Sequence, residues 1–268
     1  MFVIRSRIDG SVLLRIQLET LEGADLALVN LRHADLRRER LKSAVLDRAD
    51  LRDADLAEAN LGYAELRDAC LSGAELSGAD LEHANLTGAR LDGARLLRTR
   101  LFGARLRRAD LARAQMPGAD LTNADLRGAN LVDADLTGAN LYWSNLAAVN
   151  LGRTRLTDAN LEGAVLEEAT LVGADLENVW LARADLRLVR ANRANLARAD
   201  LGRADLYSAD LRDARLTGAN LRGAHLESAV LTGADLTDAS LIGTRFDRRT
   251  VWPAGFDPIP HGARRFEA

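Results

Sequence analysis

The chain has 268 residues, a net charge of −3, and 4% aromatic residues within an apolar content of 47%. This balance favours neither generic nucleic-acid binding nor a uniformly acidic surface, and no apolar run approaches the ~20 residues of a membrane-spanning helix. Cys70 is the single cysteine, which excludes an intrachain disulfide and indicates a reducing compartment. Because the N-terminal residues lack the apolar stretch of a signal peptide, we expect a cytoplasmic protein without membrane contact.

Residues 1–20 precede the regular part of the sequence and predict a β-hairpin. Two apolar runs, 2–4 and 12–14, flank Asp9 and Gly10, a dipeptide that favours a two-residue hairpin turn. We expect this hairpin to cap the structure that follows, since its first strand edge would otherwise be left unpaired.

Residues 21–246 repeat with a period of five, without an insertion or a deletion. Of 46 successive repeats, 43 carry Leu at the same position, and 36 carry Ala two residues before it. The residue immediately before this position is Asp in 15 repeats and Asn in 10. A period of five matches neither the about 3.6 residues of a helical turn nor the alternation of a strand. The chain must therefore turn a corner in every repeat, with Leu and Ala facing inward.

The two remaining positions of each repeat support a tight turn. Gly is frequent at the second residue after Leu, where a type II turn requires positive φ, and residues 116–119 read Met-Pro-Gly-Ala, which such a turn prefers. The Asp and Asn residues before Leu are expected to accept hydrogen bonds from nearby backbone amides. The pattern predicts a coiling chain that buries Leu and Ala and exposes its other positions.

The pattern Ala-(Asp/Asn)-Leu with two variable residues resembles the pentapeptide-repeat family over residues 21–246. This resemblance implies an all-β fold, a right-handed, four-sided parallel β-helix with four repeats per coil and about eleven coils. The family includes proteins that mimic DNA and inhibit topoisomerases, and also many members without an assigned activity. Since a fold does not carry a function with it, function must be argued from the surface.

Two positions depart from the repeat in ways that predict local irregularity. Glu39 occupies an inward Ala position, and an unpaired carboxylate is costly in an apolar core, so Arg38 or Arg40 is expected as its partner. Ala191 takes the place of Leu and should leave a thin spot that its neighbours, Leu188 and Val189, fill.

Residues 247–268 break the repeat and contain three of the four prolines. The stretch TVWPAGFDP within them resembles tails that follow other pentapeptide arrays. Trp252 and Phe256 are expected either to close the last coil as a cap or to form a dimer contact, as the C-terminal ends do in DNA-mimicking members of the family. The sequence thus leaves a monomer and a C-terminal dimer open.

No catalytic or metal-binding constellation is recognisable in the sequence. His33, His83 and His225 lie at outward positions on three different faces, and no HxxxH, CxxC or glycine-rich phosphate loop occurs. A tube closed around Leu is also expected to lack the concave pocket that catalysis usually needs. We therefore expect no enzyme activity, no cofactor and no metal ion.

Charge is banded along the repeats. Residues 50–82 hold nine acidic and two basic residues, whereas residues 90–113 hold eight arginines and two aspartates. Ion pairing between coils is one interpretation of these bands, and a partner of complementary charge is another. The arginine band interrupts the continuous negative face that a DNA mimic needs.

Outward aromatic residues concentrate on one side of the predicted coil. With twenty residues per coil, one of the four faces carries Tyr63, Phe102, Tyr142, Trp143 and Trp180. Tyr and Trp dominate the energetics of protein interfaces. The first hypothesis is a non-enzymatic binding or scaffold protein that presents this face to an unidentified protein partner, with no direct nucleic-acid binding. The alternative is a DNA mimic that binds DNA gyrase or another type II topoisomerase and inhibits it or protects it from a drug or toxin.

Overall fold

A computed structural model describes residues 1–266, and residues 267 and 268 of the predicted tail lie outside the described part. Within that part there is no helix, and the strands are β1 (Phe2–Ser6), β2 (Val12–Ile16), β3 (Ala34–Asp35), β4 (Arg245–Phe246) and β5 (Arg264–Arg265). The chain divides into two compact units, a first unit of Met1–Asp135 and a second unit that begins at Leu136. Between the strands, both units consist of turns and single β-bridges that recur every five residues.

Each repeat contains a tight turn across its two variable positions. In one repeat, the amide of Ala49 donates to the carbonyl of Leu46 at 3.0 Å and closes the turn. The second variable residue has positive φ, both at the glycines and at thirty other residues with φ between 52° and 61°, as a type II turn requires. The predicted side-chain bond is also present, since the amide of Ala27 donates to Asp25 Oδ1 at 3.1 Å. The turn thus forms with or without glycine.

Parallel β-bridges join residues twenty positions apart within each unit, so four repeats complete one coil. At one such bridge, the amide of Leu46 donates to the carbonyl of Glu65 at 2.6 Å, and the amide of Glu65 donates to the carbonyl of Ala44 at 3.0 Å. These bonds satisfy backbone groups that a lone turn would leave unpaired. The architecture is the predicted all-β parallel β-helix, while the total number of coils stays a prediction.

The core of both units is built from Leu and Ala. The Leu side chains of the repeat position are buried from residue 21 to residue 241, and burial of each contributes roughly 1.5–3 kcal/mol relative to exposure. Thr99 replaces Ala without leaving its hydroxyl unpaired, because its Oγ1 donates to the carbonyl of Leu76 at 2.8 Å. Small residues at this position let the coil close around the leucines.

The N-terminal hairpin is formed by β1 and β2, which pair antiparallel. Its connection is longer than the predicted two-residue turn, since residues 7–11 lie between the two strands. Within this connection, Asp9 accepts hydrogen bonds from both the amide and the hydroxyl of Ser11. The other edge of β1 pairs antiparallel with β3. This pairing places the hairpin against the first coil.

Glu39 does not form the predicted ion pair with Arg38 or Arg40. Arg38 Nε lies 2.9 Å from Glu58 Oε2, and Arg40 Nη2 lies 2.6 Å from Glu22 Oε2. Both arginines face solvent, where carboxylates of other repeats lie within reach, whereas Glu39 is half-buried. Burial raises the pKa of Glu39 above its ordinary value, so its carboxylate is a locally unfavourable group.

Ala191 is accommodated without a change in the backbone ladder. Its amide donates to Asp210 O at 2.8 Å, close to the 2.7 Å of the equivalent bond from Leu171. Val189 is buried nearby, but Leu188 is 46% exposed, so the prediction that it fills the space is wrong. Leu188 occupies the turn position with positive φ, and side chains at this position point outward.

The chain after Phe246 folds back on the last coil. Val251 bridges Val230, one residue out of the twenty-residue register, and β5 then pairs in parallel with β4. The ring of Trp252 lies 5.6 Å from the rings of both Phe246 and Phe256. This packing is what a cap requires, and a dimer contact at this end stays a prediction.

Candidate functional site

In the first unit, two of the predicted aromatic residues belong to one column of rings. Tyr63 is 55% exposed, and its ring stacks on that of His83 with centroids 5.0 Å apart. The His83 ring contacts Phe102 edge-on at 5.4 Å, and Lys42 Nζ lies 5.8 Å from the centre of the Tyr63 ring. His83 was not among the predicted site residues, although its distance of twenty residues from Tyr63 could have identified it. We call Tyr63, His83 and Phe102 the aromatic column.

In the second unit, Trp143 is 58% exposed and lies over a glycine of the next coil. A Cβ at Gly163 would lie 2.8 Å from the indole ring, so this glycine provides the space that the ring occupies. Tyr142 contacts Trp143 edge-on with ring centroids 6.2 Å apart. The two neighbouring aromatic residues therefore form one exposed surface.

Trp180 extends this surface on the other side of the coil that contains Gly163. The amide of Leu161 donates to the carbonyl of Trp180 at 2.7 Å, while the amide of Trp143 donates to the carbonyl of Glu162 at 3.1 Å. The two tryptophans thus flank one segment and are separated by about two strand spacings, or ~10 Å. Glu162 lies 3.8 Å from Arg183 at its edge. We call Tyr142, Trp143 and Trp180 the aromatic surface, and the single face that would join it to the aromatic column stays a prediction.

Ion pairs between neighbouring coils neutralise part of the banded charge in the first unit. Arg95 Nε lies 3.2 Å from Glu75 Oε2, and Arg100 Nη1 lies 3.6 Å from Asp80 Oδ2. Arginines of the basic band therefore reach carboxylates of the acidic band, as the ion-pairing interpretation expects. The acidic band is not a continuous, unpaired negative surface.

Asp and Arg residues two positions apart form further pairs in both units. Arg187 Nε and Nη2 donate to the two carboxylate oxygens of Asp185 at 2.8 and 2.7 Å, and these bonds lower the pKa of Asp185. Arg37 lies 2.8 Å from Asp35 and 3.7 Å from Asp55 on the next coil, so one guanidinium offsets the repulsion between two stacked carboxylates. These aspartates are parts of the ladder and not candidate general acids or bases.

The second unit contains a cleft of about 700 Å³, contrary to the expectation that a closed tube offers no concave pocket. The tail supplies one wall of this cleft, because the pairing of β4 with β5 brings residues 264–266 beside the last coil. His225, Tyr207 and Phe266 line it together with three carboxylates and five arginines. The arginines are Arg187, Arg245, Arg248, Arg249 and Arg265.

The structure also shows which other kinds of site the described residues do not form. Within residues 1–266, no three His, Cys, Asp or Glu side chains are grouped as ligands of a metal ion would be. The same part of the chain has no helix with the length and apolar character needed to span a bilayer. Cys70 is a free, half-buried thiol.

The sequence matches the family described as pentapeptide repeats in eight copies, which together cover residues 24–142 and 144–248. No curated protein matches the chain. Among solved structures, HetL from the cyanobacterium Nostoc sp., a pentapeptide repeat protein involved in heterocyst differentiation regulation, is 32% identical, with 87% of this chain and 91% of HetL covered and a TM-score of 0.36.

Two further solved structures show the range of similarity. Rfr23, a pentapeptide repeat protein from the cyanobacterium Cyanothece 51142, is 36% identical, with 38% of this chain and 63% of Rfr23 covered and a TM-score of 0.22. QnrB1, a plasmid-mediated fluoroquinolone resistance protein, is 18% identical, with 80% of this chain and 88% of QnrB1 covered and a TM-score of 0.38. The eight matched copies span most of the chain and coincide with its ladder of turns. The protein belongs to the pentapeptide-repeat family, and its fold is the right-handed parallel β-helix of that family.

Proposed function

We propose that this protein is a non-enzymatic, cytoplasmic binding protein whose aromatic residues contact a protein partner. The observation that carries the proposal is the exposure of Trp143 and Trp180, each more than half exposed on the two coils that flank residues 161 and 162. Tyr and Trp provide large contact areas and are enriched among the residues that dominate interface energetics. The coil leaves these rings outside its core, so the packing of the core does not explain them.

The backbone beneath the aromatic surface is already ordered. Trp143 and Trp180 both take part in hydrogen bonds to the coil between them, at 3.1 and 2.7 Å. A partner therefore has to immobilise only side chains, at roughly 0.5–1.5 kcal/mol for each flexible one. The ion pair of Glu162 and Arg183 beside the rings supplies the polar rim that protein interfaces usually have. This pre-organisation supports a protein-binding role for the surface.

The proposal is tested by removing the rings while keeping the coil. In the full chain, Tyr142, Trp143 and Trp180 are replaced together by Ala, and capture of a protein partner from a lysate of the source cells is measured. A matched control replaces Leu188 and Ile242, two exposed aliphatic residues of the same unit, by Ala. We expect capture to be lost in the first variant and retained in the second, with both folded by circular dichroism. Equal capture by the triple variant and the unaltered chain would exclude the aromatic surface as the site.

The alternative is a protein that binds a type II topoisomerase as a DNA mimic. Membership of the family favours it, whereas the pairing of the acidic band with Arg95 and Arg100 opposes it. It also requires a C-terminal dimer, while Trp252 and Phe256 pack against the last coil and each other. A DNA gyrase supercoiling assay with and without a quinolone separates the two functions. Our proposal predicts no effect at large excess of protein, and inhibition or drug protection at submicromolar protein would favour the alternative.

A further inference from the structure

The cleft of the second unit has the size and composition of a small-molecule site. Its volume of about 700 Å³ falls within the roughly 300–1,000 Å³ typical of such sites. Tyr207 and His225 lie on the wall formed by the repeats, and the opposite wall comes from the tail, where β5 places Arg265 beside Phe246. The cleft shares no residue with the aromatic column or the aromatic surface, so its role is independent of the proposed function.

The carboxylates that line the cleft are already engaged. Asp247 accepts hydrogen bonds from the amides of Ser228 and Thr250, both at 2.9 Å. These backbone donors stabilise its carboxylate. The other two carboxylates lie beside arginines. Glu227 Oε1 is 2.9 Å from Arg245 Nε, an ion pair in which the N–H is not aligned for a hydrogen bond. Asp205 Oδ2 is 4.0 Å from Arg187 Nε. None of the three forms an ion pair with Arg248, Arg249 or Arg265.

Among the described residues, three arginines of the cleft have no such partner. Arg248, Arg249 and Arg265 are exposed, and in the described part of the chain no carboxylate lies within 4.0 Å of their guanidinium groups. Guanidinium groups form paired, charge-assisted hydrogen bonds with phosphate oxygens. Three like charges around one concavity also repel one another, and a bound anion would relieve that repulsion. The cleft is therefore suited to a ligand with more than one negative charge.

Aromatic rings line the same cleft and are suited to contact an organic group. Arg245 Cζ lies 4.1 Å from the centre of the Phe266 ring, so one face of that ring is already covered by a cation. Tyr207 is 44% exposed, and its hydroxyl can donate or accept a hydrogen bond. A planar group could lie beside Tyr207 while its charged end faces the arginines.

We propose that this cleft binds a small molecule that carries a diphosphate group, with Arg248, Arg249 and Arg265 as its phosphate ligands. The diphosphate could belong to a nucleoside diphosphate, whose base would lie beside Tyr207, or to inorganic pyrophosphate. Both share the chemistry that the arginines recognise, and they differ in whether Tyr207 contributes to affinity.

Isothermal titration of the full chain with ADP and with pyrophosphate tests this proposal. We expect saturable binding that weakens about tenfold or more when Arg248 and Arg249 are both replaced by Gln. The matched control replaces Arg193 and Arg203, exposed arginines of the same unit that do not line the cleft, by Gln, and should leave affinity unchanged. Arg265→Gln, on β5 and outside the turn that contains Arg248 and Arg249, provides an independent variant.

The measurements answer two questions, namely whether the site exists and whether its ligand is a nucleotide or inorganic pyrophosphate. Tighter binding of ADP than of pyrophosphate, with a loss for ADP alone in Tyr207→Ala, would identify a nucleotide ligand, and equal binding would identify the inorganic ion. Absence of binding by both probes would overturn the proposal. So would equal affinities of the Arg248/Arg249 variant and the unaltered chain, or an equal loss in the control, since the attraction would then be general. Circular dichroism confirms that each variant is folded.

Discussion

Positive φ at residues other than glycine is a recurring source of backbone strain in this protein. Thirty of residues 1–266 adopt it, and the left-handed conformation costs a residue with a Cβ roughly 1–2 kcal/mol. They persist because the ladder hydrogen bonds on both sides of each turn fix the backbone. The side chain at this position therefore affects stability mainly through its backbone preference when it packs against nothing.

Leu28 provides a test of this effect, since it has φ of 61° and is 72% exposed. We expect Leu28→Gly to raise the free energy of unfolding by roughly 0.5–1 kcal/mol, because the relieved strain exceeds the entropy cost of glycine. Leu28→Ala removes nearly the same side chain but retains the strain, so it should give no such gain. Urea denaturation of the two variants makes the comparison, and equal stabilities would contradict the explanation.

Glu39 is a second residue whose effect on stability depends on its surroundings, here through burial of its carboxylate. Burial raises its pKa above the ordinary 4.5, so folding favours its neutral form, and the ionised form weakens the fold at higher pH. We expect Glu39→Gln to raise the melting temperature at pH 7. The gain should shrink as the pH falls through the raised pKa and vanish below 4.5, where the carboxyl is protonated in both the folded and the unfolded chain. A gain that did not change with pH would show that the effect comes from packing.

At the scale of the coil, Ala191 shows that the ladder, and not each side chain, sets the backbone path. The hydrogen bond from the amide of Ala191 to the carbonyl of Asp210 keeps an ordinary length of 2.8 Å. The backbone has therefore not moved into the space of the missing side chain. We expect Ala191→Leu to increase the free energy of unfolding by about 1–2 kcal/mol by filling that space. Ala194→Leu, at an Ala position of the same coil, should instead destabilise the protein through overpacking. Urea denaturation that showed a loss in both variants would mean that the core at residue 191 is already closed.

The repeating part of the fold could be predicted because a single pattern sets both its core and its ladder. Leu and Ala at fixed positions specify the turn, the buried face and the partner twenty residues away, and tight turns formed even without glycine. Contacts across coils were harder to predict, since Arg40 pairs with Glu22 and not with its neighbour Glu39. The same cross-coil geometry brings His83 to Tyr63. Sequence neighbours are poor guides wherever the nearest residue in space is a coil away.

The cleft could not be predicted because it depends on the part of the chain without a period. Residues 247–266 carry no repeat, and their path is set by the pairing of β4 with β5 and by the packing of Trp252 on Phe246. The clustering of Arg248, Arg249 and Arg265 follows from that path alone. Prediction from sequence therefore succeeded for the repeating array and failed for the surface that the tail creates, while the role of the outward aromatic residues stays a prediction.

For the whole molecule, the exposed aromatic residues and the paired charges are the observations on which the proposed binding role depends. The acidic and basic bands partly neutralise each other, so long-range electrostatic attraction is a weaker basis for recognition than the rings are. We therefore propose that Trp143 and Trp180 contact a protein partner.

Hydroxyl-radical footprinting of the full chain, alone and in the presence of the captured partner, tests this claim most directly. Free protein should be oxidised readily at both tryptophans, since they are 58% and 59% exposed. We predict that the partner protects Trp143 and Trp180 while exposed Leu188 of the same unit stays reactive. Unchanged oxidation of both tryptophans in the complex would contradict it and place the interface elsewhere on the protein.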